Sequence, residues 1–134
     1  MEQVVIDTNV VVSSVLSSRG NPAKIMKLCL NDLIKIVLSN EILDEYKRVL
    51  SYNRLNIAIE TQSGIIRAIE EVATIVEPTK STISFADESD RVFYDTAKAS
   101  NSILITGNVK HFPNESFIMT PSEFFRSIIG ELET

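Results

Sequence analysis

Apolar positions along the chain fall into two rhythms that alternate: short continuous runs and stripes with helical spacing. Gln3–Ile6 is nearly all apolar, too continuous to be half exposed, and predicts a buried strand ending at Asp7. A helix is expected from near Val10. Asn21 and Pro22 then form a cap and first-turn pair, opening a helix whose inward positions are Ile25, Met26, Cys29 and Leu30. Residues 34–38 read as a second strand. Ser39 or Asn40 caps the helix that follows, with Ile42, Leu43, Tyr46, Val49 and Leu50 on one stripe. Another helix carries Ile65, Ile66, Ile69, Val72 and Ala73, and the extended piece after it is stopped by Pro78.

The C-terminal half keeps the same rhythm. A helix over about 87–100 leads to a strand over 102–106 that ends at Gly107, and 116–119 reads as a short strand. Thr120-Pro-Ser-Glu123 has the form of a capping box with proline in the first turn, opening a last helix with Phe124, Phe125, Ile128 and Ile129 inward. Strands separated by helices pair in parallel through right-handed crossovers, which predicts an α/β fold with a parallel central sheet flanked by helices. The length of 134 residues fits a single domain over 1–134. Ligands in such sheets gather beyond the carboxyl ends of the strands. That rule points at Asp7 and at Thr106-Gly107-Asn108.

Composition changes this picture little. With 44% hydrophobic and 23% charged residues the chain is an ordinary globular one, large enough to bury a core without staples. The single cysteine, Cys29, reads as packing and excludes an intrachain disulfide, which suits a reducing cytoplasm. No basic leader and no apolar stretch of the ~18 residues needed for a membrane span is visible, so a soluble, non-membrane protein is expected. Glycines at 20, 64, 107 and 130 are too scattered for a phosphate-cradling loop. A net charge of −5 argues against a sequence reader with a basic face. It is compatible with a nuclease whose surplus acids hold divalent cations.

The positions of the acids carry more. A carboxylate at the end of an apolar strand, as at Asp7, is costly unless compensated. The competing reading is that Asp7 caps the next helix. In Asp87-Glu88-Ser89-Asp90, Asp87 suits an N-cap, and three acids in four residues exceed what capping needs. Magnesium, which favours a few carboxylates plus water, accounts for the surplus. Asp95, in the same helix, is expected in solvent. On the 40–50 helix, Glu45 falls about 100° from the centre of the apolar stripe, at its border, while Glu41 and Asp44 lie about 140° and 160° away. Glu45 therefore either reaches a cleft or pairs with a neighbouring cation on the surface. His111, the only histidine, either touches phosphate or packs beside Phe112; packing is the preferred reading. With no nucleophile motif, a triad hydrolase is not expected.

The Val-Val-Ile-Asp7-Thr8-Asn9 opening, the Glu45 helix, the Asp90-to-Ala97 helix and the Ile-Leu-Ile-Thr106-Gly107-Asn108 strand end follow one another in a pattern that resembles PIN-domain nucleases. Ile118-Met-Thr-Pro121-Ser-Glu-Phe124-Phe is similar to the family's last strand and helix, so the likeness spans essentially the whole chain. Within the family, the chain is most similar to the compact bacterial and archaeal group of toxins from toxin–antitoxin pairs. The resemblance implies a metal-dependent endoribonuclease that binds Mg²⁺ or Mn²⁺ at one end of the sheet and cleaves single-stranded or looped RNA to leave a 5′-phosphate. Asp7, Glu45 and Asp90 match the family's first three acids. The fourth place, commonly aspartate, is Asn108, whose amide oxygen can ligate but adds no charge. Asp87 or Glu88 is a candidate for the missing charge. Asn9 and Thr106 correspond to groups that orient the ligands through hydrogen bonds.

Arg19, Lys24, Arg91 and Lys110 are candidates for steering phosphate. A small antitoxin protein and a second copy of the chain, docked on the apolar helices 22–30 and 61–73, are the implied partners. Two other readings stand beside this one. The first is a catalytically weakened PIN-like domain that binds RNA or protein. The second is a phosphoryl-accepting domain built on Asp7, although Lys110 is a loose fit to the late lysine and the early acidic pair is missing.

Overall fold

The computed structural model describes residues 2–133, with side-chain surroundings described through residue 130. Five parallel strands, β1 (Gln3–Ile6), β2 (Lys35–Leu38), β3 (Thr74–Ile75), β4 (Ile103–Ile105) and β5 (Ile118–Met119), form one sheet in the order β3-β2-β1-β4-β5. Six helices flank it: α1 (Thr8–Leu16), α2 (Asn21–Leu30), α3 (Asn40–Leu50), α4 (Ile59–Val72), α5 (Arg91–Ser100) and α6 (Pro121–Glu133). This is the parallel α/β architecture that the alternating rhythms predict. β1 is central because it is apolar on both faces; Val4, Val5 and Ile6 are fully buried. From β1 the chain builds outward through β2 and β3, then crosses back to place β4 on the other side of β1. The carboxyl ends of β1 and β4 thus lie side by side where the direction of winding reverses, which is where such sheets bind ligands.

Several element ends differ from the sequence reading. α1 starts at Thr8, directly after Asp7. Gly20, not Asn21, stands at the N-cap of α2, with the proline one position further in than expected. Ser39 is the cap of α3, its hydroxyl accepting from Ile42 N at 3.2 Å. The helix expected from residue 87 begins as a 3-10 turn, Glu88–Asp90, before α5 proper. The Thr120–Glu123 box forms reciprocally, with Thr120 N on Glu123 Oε1 at 3.0 Å and Glu123 N on Thr120 Oγ1 at 3.1 Å. In α6 Phe124 is fully buried, but Ile129, expected inward, is exposed, lying off the face that the helix packs on α2 and β5.

α3 is tied to the central strand by Tyr46. Its ring is fully buried among aliphatic side chains and its hydroxyl donates to the Ile6 carbonyl, one residue before Asp7. Tyr46→Phe should cost about 1–2 kcal/mol, since the carbonyl loses its hydroxyl partner while the ring packing is kept. Urea denaturation with an unchanged slope is the check. A variant as stable as the parent would show that the bond does not anchor α3.

Candidate functional site

Asp7 is 7% exposed and sits at the N-cap of α1, yet its side chain makes no capping bond. Its backbone does that work: the Asp7 carbonyl accepts from Val10 N at 2.9 Å, and its own amide continues the sheet by donating to the Ile105 carbonyl at 2.9 Å. The carboxylate turns instead toward β4, where Thr106 Oγ1 donates to Oδ2 at 2.7 Å. Burial pushes the Asp7 pKa up, against the lowering effects of the Thr106 hydroxyl, the Thr8 backbone and nearby His111. Of the two sequence readings, a side-chain cap is therefore excluded. What remains is a buried carboxylate held at the switch point.

Thr106 is fully buried and works in both directions, donating to Asp7 and accepting from Asn108 N at 3.0 Å. Asn108 itself is exposed, at the start of a 3-10 turn, Val109–His111. Glu45 is half-buried, whereas Glu41 and Asp44 on the same helix point to solvent, in the order their helical angles give. The Glu45 carboxylate accepts a short hydrogen bond from Thr8 Oγ1 and has Arg48 Nη2 at 3.8 Å. Both readings of Glu45 thus hold in part: it pairs loosely with a surface arginine while facing the residue next to Asp7.

Thr8 is the neighbour of the candidate site that the sequence reading missed. It is buried, and the signal was available: Thr8, Val11 and Val12 are spaced i, i+3, i+4, so the hydroxyl shares the inward face of α1. Asn9, expected to orient a carboxylate, is exposed and makes no hydrogen bond to one among the described residues, because it lies one position round from that face.

Asp90 closes the 3-10 turn before α5, its side chain 15% exposed and 3.7 Å from His111 Nδ1. Its pKa is pushed up to about 6, first by burial and then by repulsion from Asp7, Asp87 and Glu45, with His111 acting in the opposite direction. That repulsion is the physical mark that the acids share one region. As they stand they do not form a finished cage: among the described residues no three His, Cys, Asp or Glu side chains are grouped to hold one ion. Asp7, Asp90 and Glu45 nevertheless suit a hard divalent cation in their chemistry. They are oxygen donors, partly desolvated and mutually repelling, which is the combination that a cation relieves.

Neither candidate for the missing fourth charge is free. Asp87 Oδ1 caps the 3-10 turn, accepting from Ser89 N at 3.0 Å and Ser89 Oγ at 2.8 Å, and these bonds hold its pKa down. Glu88 is forked onto Arg91, with Arg91 Nε at 2.7 Å and Nη2 at 2.8 Å. Three expectations need correction here. His111 does not pack in the core; its side chain is 59% exposed and turns toward Asp90. Asp95 is not in solvent but 5% exposed, accepting from Ser81 N at 3.0 Å, because α5 packs against β1, β2 and β4 and the 76–87 segment covers its outer edge. Arg91 is not free to steer phosphate, since Glu88 and Ser81 take up its guanidinium. Of the other proposed cations, Arg19 and Lys110 are exposed, and Lys24 lies over the Phe125 ring at 5.4 Å.

A family model described as the PIN domain matches residues 3–110, which includes Asp7, Glu45, Asp90 and Asn108. The chain belongs to the PIN-domain family. An uncharacterised relative, protein MJ1680 of Methanocaldococcus jannaschii, is 31% identical over 109 residues, covering 79% of this chain and 70% of the relative. Among solved structures, VapBC2 from Rickettsia felis, bound to a DNA fragment from its promoter, superposes with a TM-score of 0.59 at 17% identity. That match covers 87% of this PIN chain and 96% of the other, and it speaks for the fold. Membership in a nuclease family leaves the phosphoryl-accepting reading without support. No helix of the described residues is long and apolar enough to cross a membrane.

Proposed function

We propose that this PIN-domain protein is a divalent-metal-dependent endoribonuclease acting on single-stranded or looped RNA, and that it is the toxin of a toxin–antitoxin pair. The observation that carries the reading is the gathering of Asp7, Glu45 and Asp90 in one region beyond the carboxyl ends of β1 and β4, where burial first, and then repulsion from Asp7, Asp87 and Glu45, push Asp90 up to about 6. Asp7, Asp90 and Glu45 would hold the cation, with the Asn108 amide oxygen as a neutral fourth donor. When bound, Mg²⁺ or Mn²⁺ supplies polarisation of the scissile phosphate and a water acidic enough to attack it at neutral pH.

The chain's own residues supply the positioning. Thr106 fixes one oxygen of Asp7 through its hydroxyl, and the Thr8 hydroxyl donates to Glu45 and so holds it beside Asp7. Lys110, exposed two residues beyond Asn108, would meet the RNA backbone. A looped or unpaired strand suits such a site because its backbone can bend into a cleft that a duplex cannot enter. The likeness to a VapBC complex supports a small antitoxin as partner.

A second reading, a weakened PIN-like domain that binds RNA or protein without cutting, is favoured by one feature: asparagine stands where a fourth acid would complete the charge. A labelled generic RNA incubated with Mn²⁺ or Mg²⁺, with and without chelator, separates the two. Chelator-sensitive cleavage leaving 5′-phosphates is the expected result. Retention of the RNA without cleavage in either metal would establish the second reading instead.

A further inference from the structure

The metal-centre reading leaves Arg91 without a role, although its guanidinium is among the most engaged groups near the acids. It donates to both carboxylate oxygens of Glu88 at 2.7 and 2.8 Å, and to the carbonyl and hydroxyl of Ser81 at 2.7 and 3.0 Å. Its side chain is only 11% exposed and lies over the Phe85 ring at 5.1 Å. Phe85 in turn meets Tyr94 and Phe112 edge to face, with centroids 5.7 and 6.2 Å apart. Residues 77–87 carry no helix or strand of their own, so their path over α5 is set by such contacts. Ser81 and Phe85 are two of their anchors, and Arg91 touches both. The buried Asp95 carboxylate, one turn along α5, completes the Ser81 anchor through its amide.

We infer that Arg91 is the positioning residue of the acid cluster. Through Glu88 it fixes the 3-10 turn that presents Asp90. Through Phe85 and Phe112 it steadies the 108–111 turn that presents Asn108. Its fork also neutralises Glu88, so the charge that meets a cation stays on Asp7, Glu45 and Asp90. A planar, bidentate group is needed because it sets angles as well as distances; a lysine brings the charge without the fork. Removing groups that orient metal ligands typically weakens metal affinity about 10- to 100-fold.

The inference rests on the metal-centre reading, and Mn²⁺ titration of the full chain by calorimetry tests the two apart. Arg91→Ala and Arg91→Lys should each bind Mn²⁺ about 10- to 100-fold more weakly than the parent. Their helical circular dichroism in chelator should be retained. Glu88→Gln, at a surface position that tolerates change, should weaken binding in the same direction and decides the matter where Arg91→Ala fails to fold. Hydrogen exchange in the Arg91 variants should quicken at both 88–90 and 108–111. A lower melting temperature with an unchanged Mn²⁺ constant would make Arg91 purely structural and overturn the inference alone. A parent protein that binds no Mn²⁺ would overturn the metal-centre reading, and this inference with it.

Discussion

Asp7→Asn is expected to remove metal-dependent RNA cleavage while leaving the chain folded. The amide keeps the shape of the carboxylate and can still accept from Thr106 Oγ1, so the β1–β4 junction survives. What it loses is the negative charge at the place where the winding of the sheet reverses. Metal-assisted stabilisation of a phosphoryl transition state amounts to several kcal/mol, and about 1.4 kcal/mol corresponds to each factor of ten in rate. A loss of roughly a thousandfold follows. Stability should move the other way. Burial has raised the Asp7 pKa, so the folded state resists the charge more than the unfolded chain does. Without metal, at pH 8, the asparagine variant should therefore melt no lower than the parent. Cleavage within a few-fold of the parent, still dependent on metal, would remove Asp7 from the mechanism.

The second large effect concerns Asp90 and pH. Its folded pKa of about 6 lies above the ordinary 3.8, so between those values the folded protein binds more protons than the unfolded chain. This contribution to stability is fully present below about pH 4 and is lost as pH rises through about 6. A shift of this size corresponds to at most ~3 kcal/mol at 1.36 kcal/mol per pKa unit. Partial solvent access to the carboxyl reduces this to about 1–2 kcal/mol.

Metal-free Asp90→Asn should accordingly be more stable than the parent at pH 8, by about 3–6 °C in melting temperature, and about equal to it at pH 4. Mn²⁺ should raise the parent's melting temperature at pH 8 and have little effect at pH 4, because the cation competes with the proton for the same carboxylates. Thermal melts at both pH values, with MnCl₂ and with chelator, measure all of this. An Asp90→Asn variant that melts lower at pH 8 and responds to Mn²⁺ like the parent would refute the picture. If both effects appear, the site trades stability for function: the acids that destabilise the empty fold are the ones that a cation needs.

The placement of the candidate site's residues was legible wherever local chemistry conflicted with burial. Asp7 could be found because a carboxylate ends a strand apolar on both faces, and Glu45 because helical angles put it, and not Glu41 or Asp44, at the border of the stripe. Thr106 stood out as a polar residue at the end of a second inner strand. Thr8 was equally readable from its spacing with Val11 and Val12. Asp95, Arg91 and His111 were not legible. Their surroundings are made by the 77–87 segment and by the 108–111 turn, whose paths follow no periodic pattern.

The chain alone determined which elements form, since strand and helix are written in local spacing of apolar residues, and it determined that those elements pair in parallel around a buried first strand. Tertiary structure decided what each polar group faces. Asp7, open from sequence to both a capping and a buried-acid reading, is a buried acid because Thr106, 99 positions away in sequence, donates to it. Asp95 went from surface to interior because a segment without secondary structure lies over it, and Arg91 from a phosphate-steering candidate to a clamp for the same reason. Periodicity fixes which face of an element is inward. It carries no information about which distant group will stand opposite.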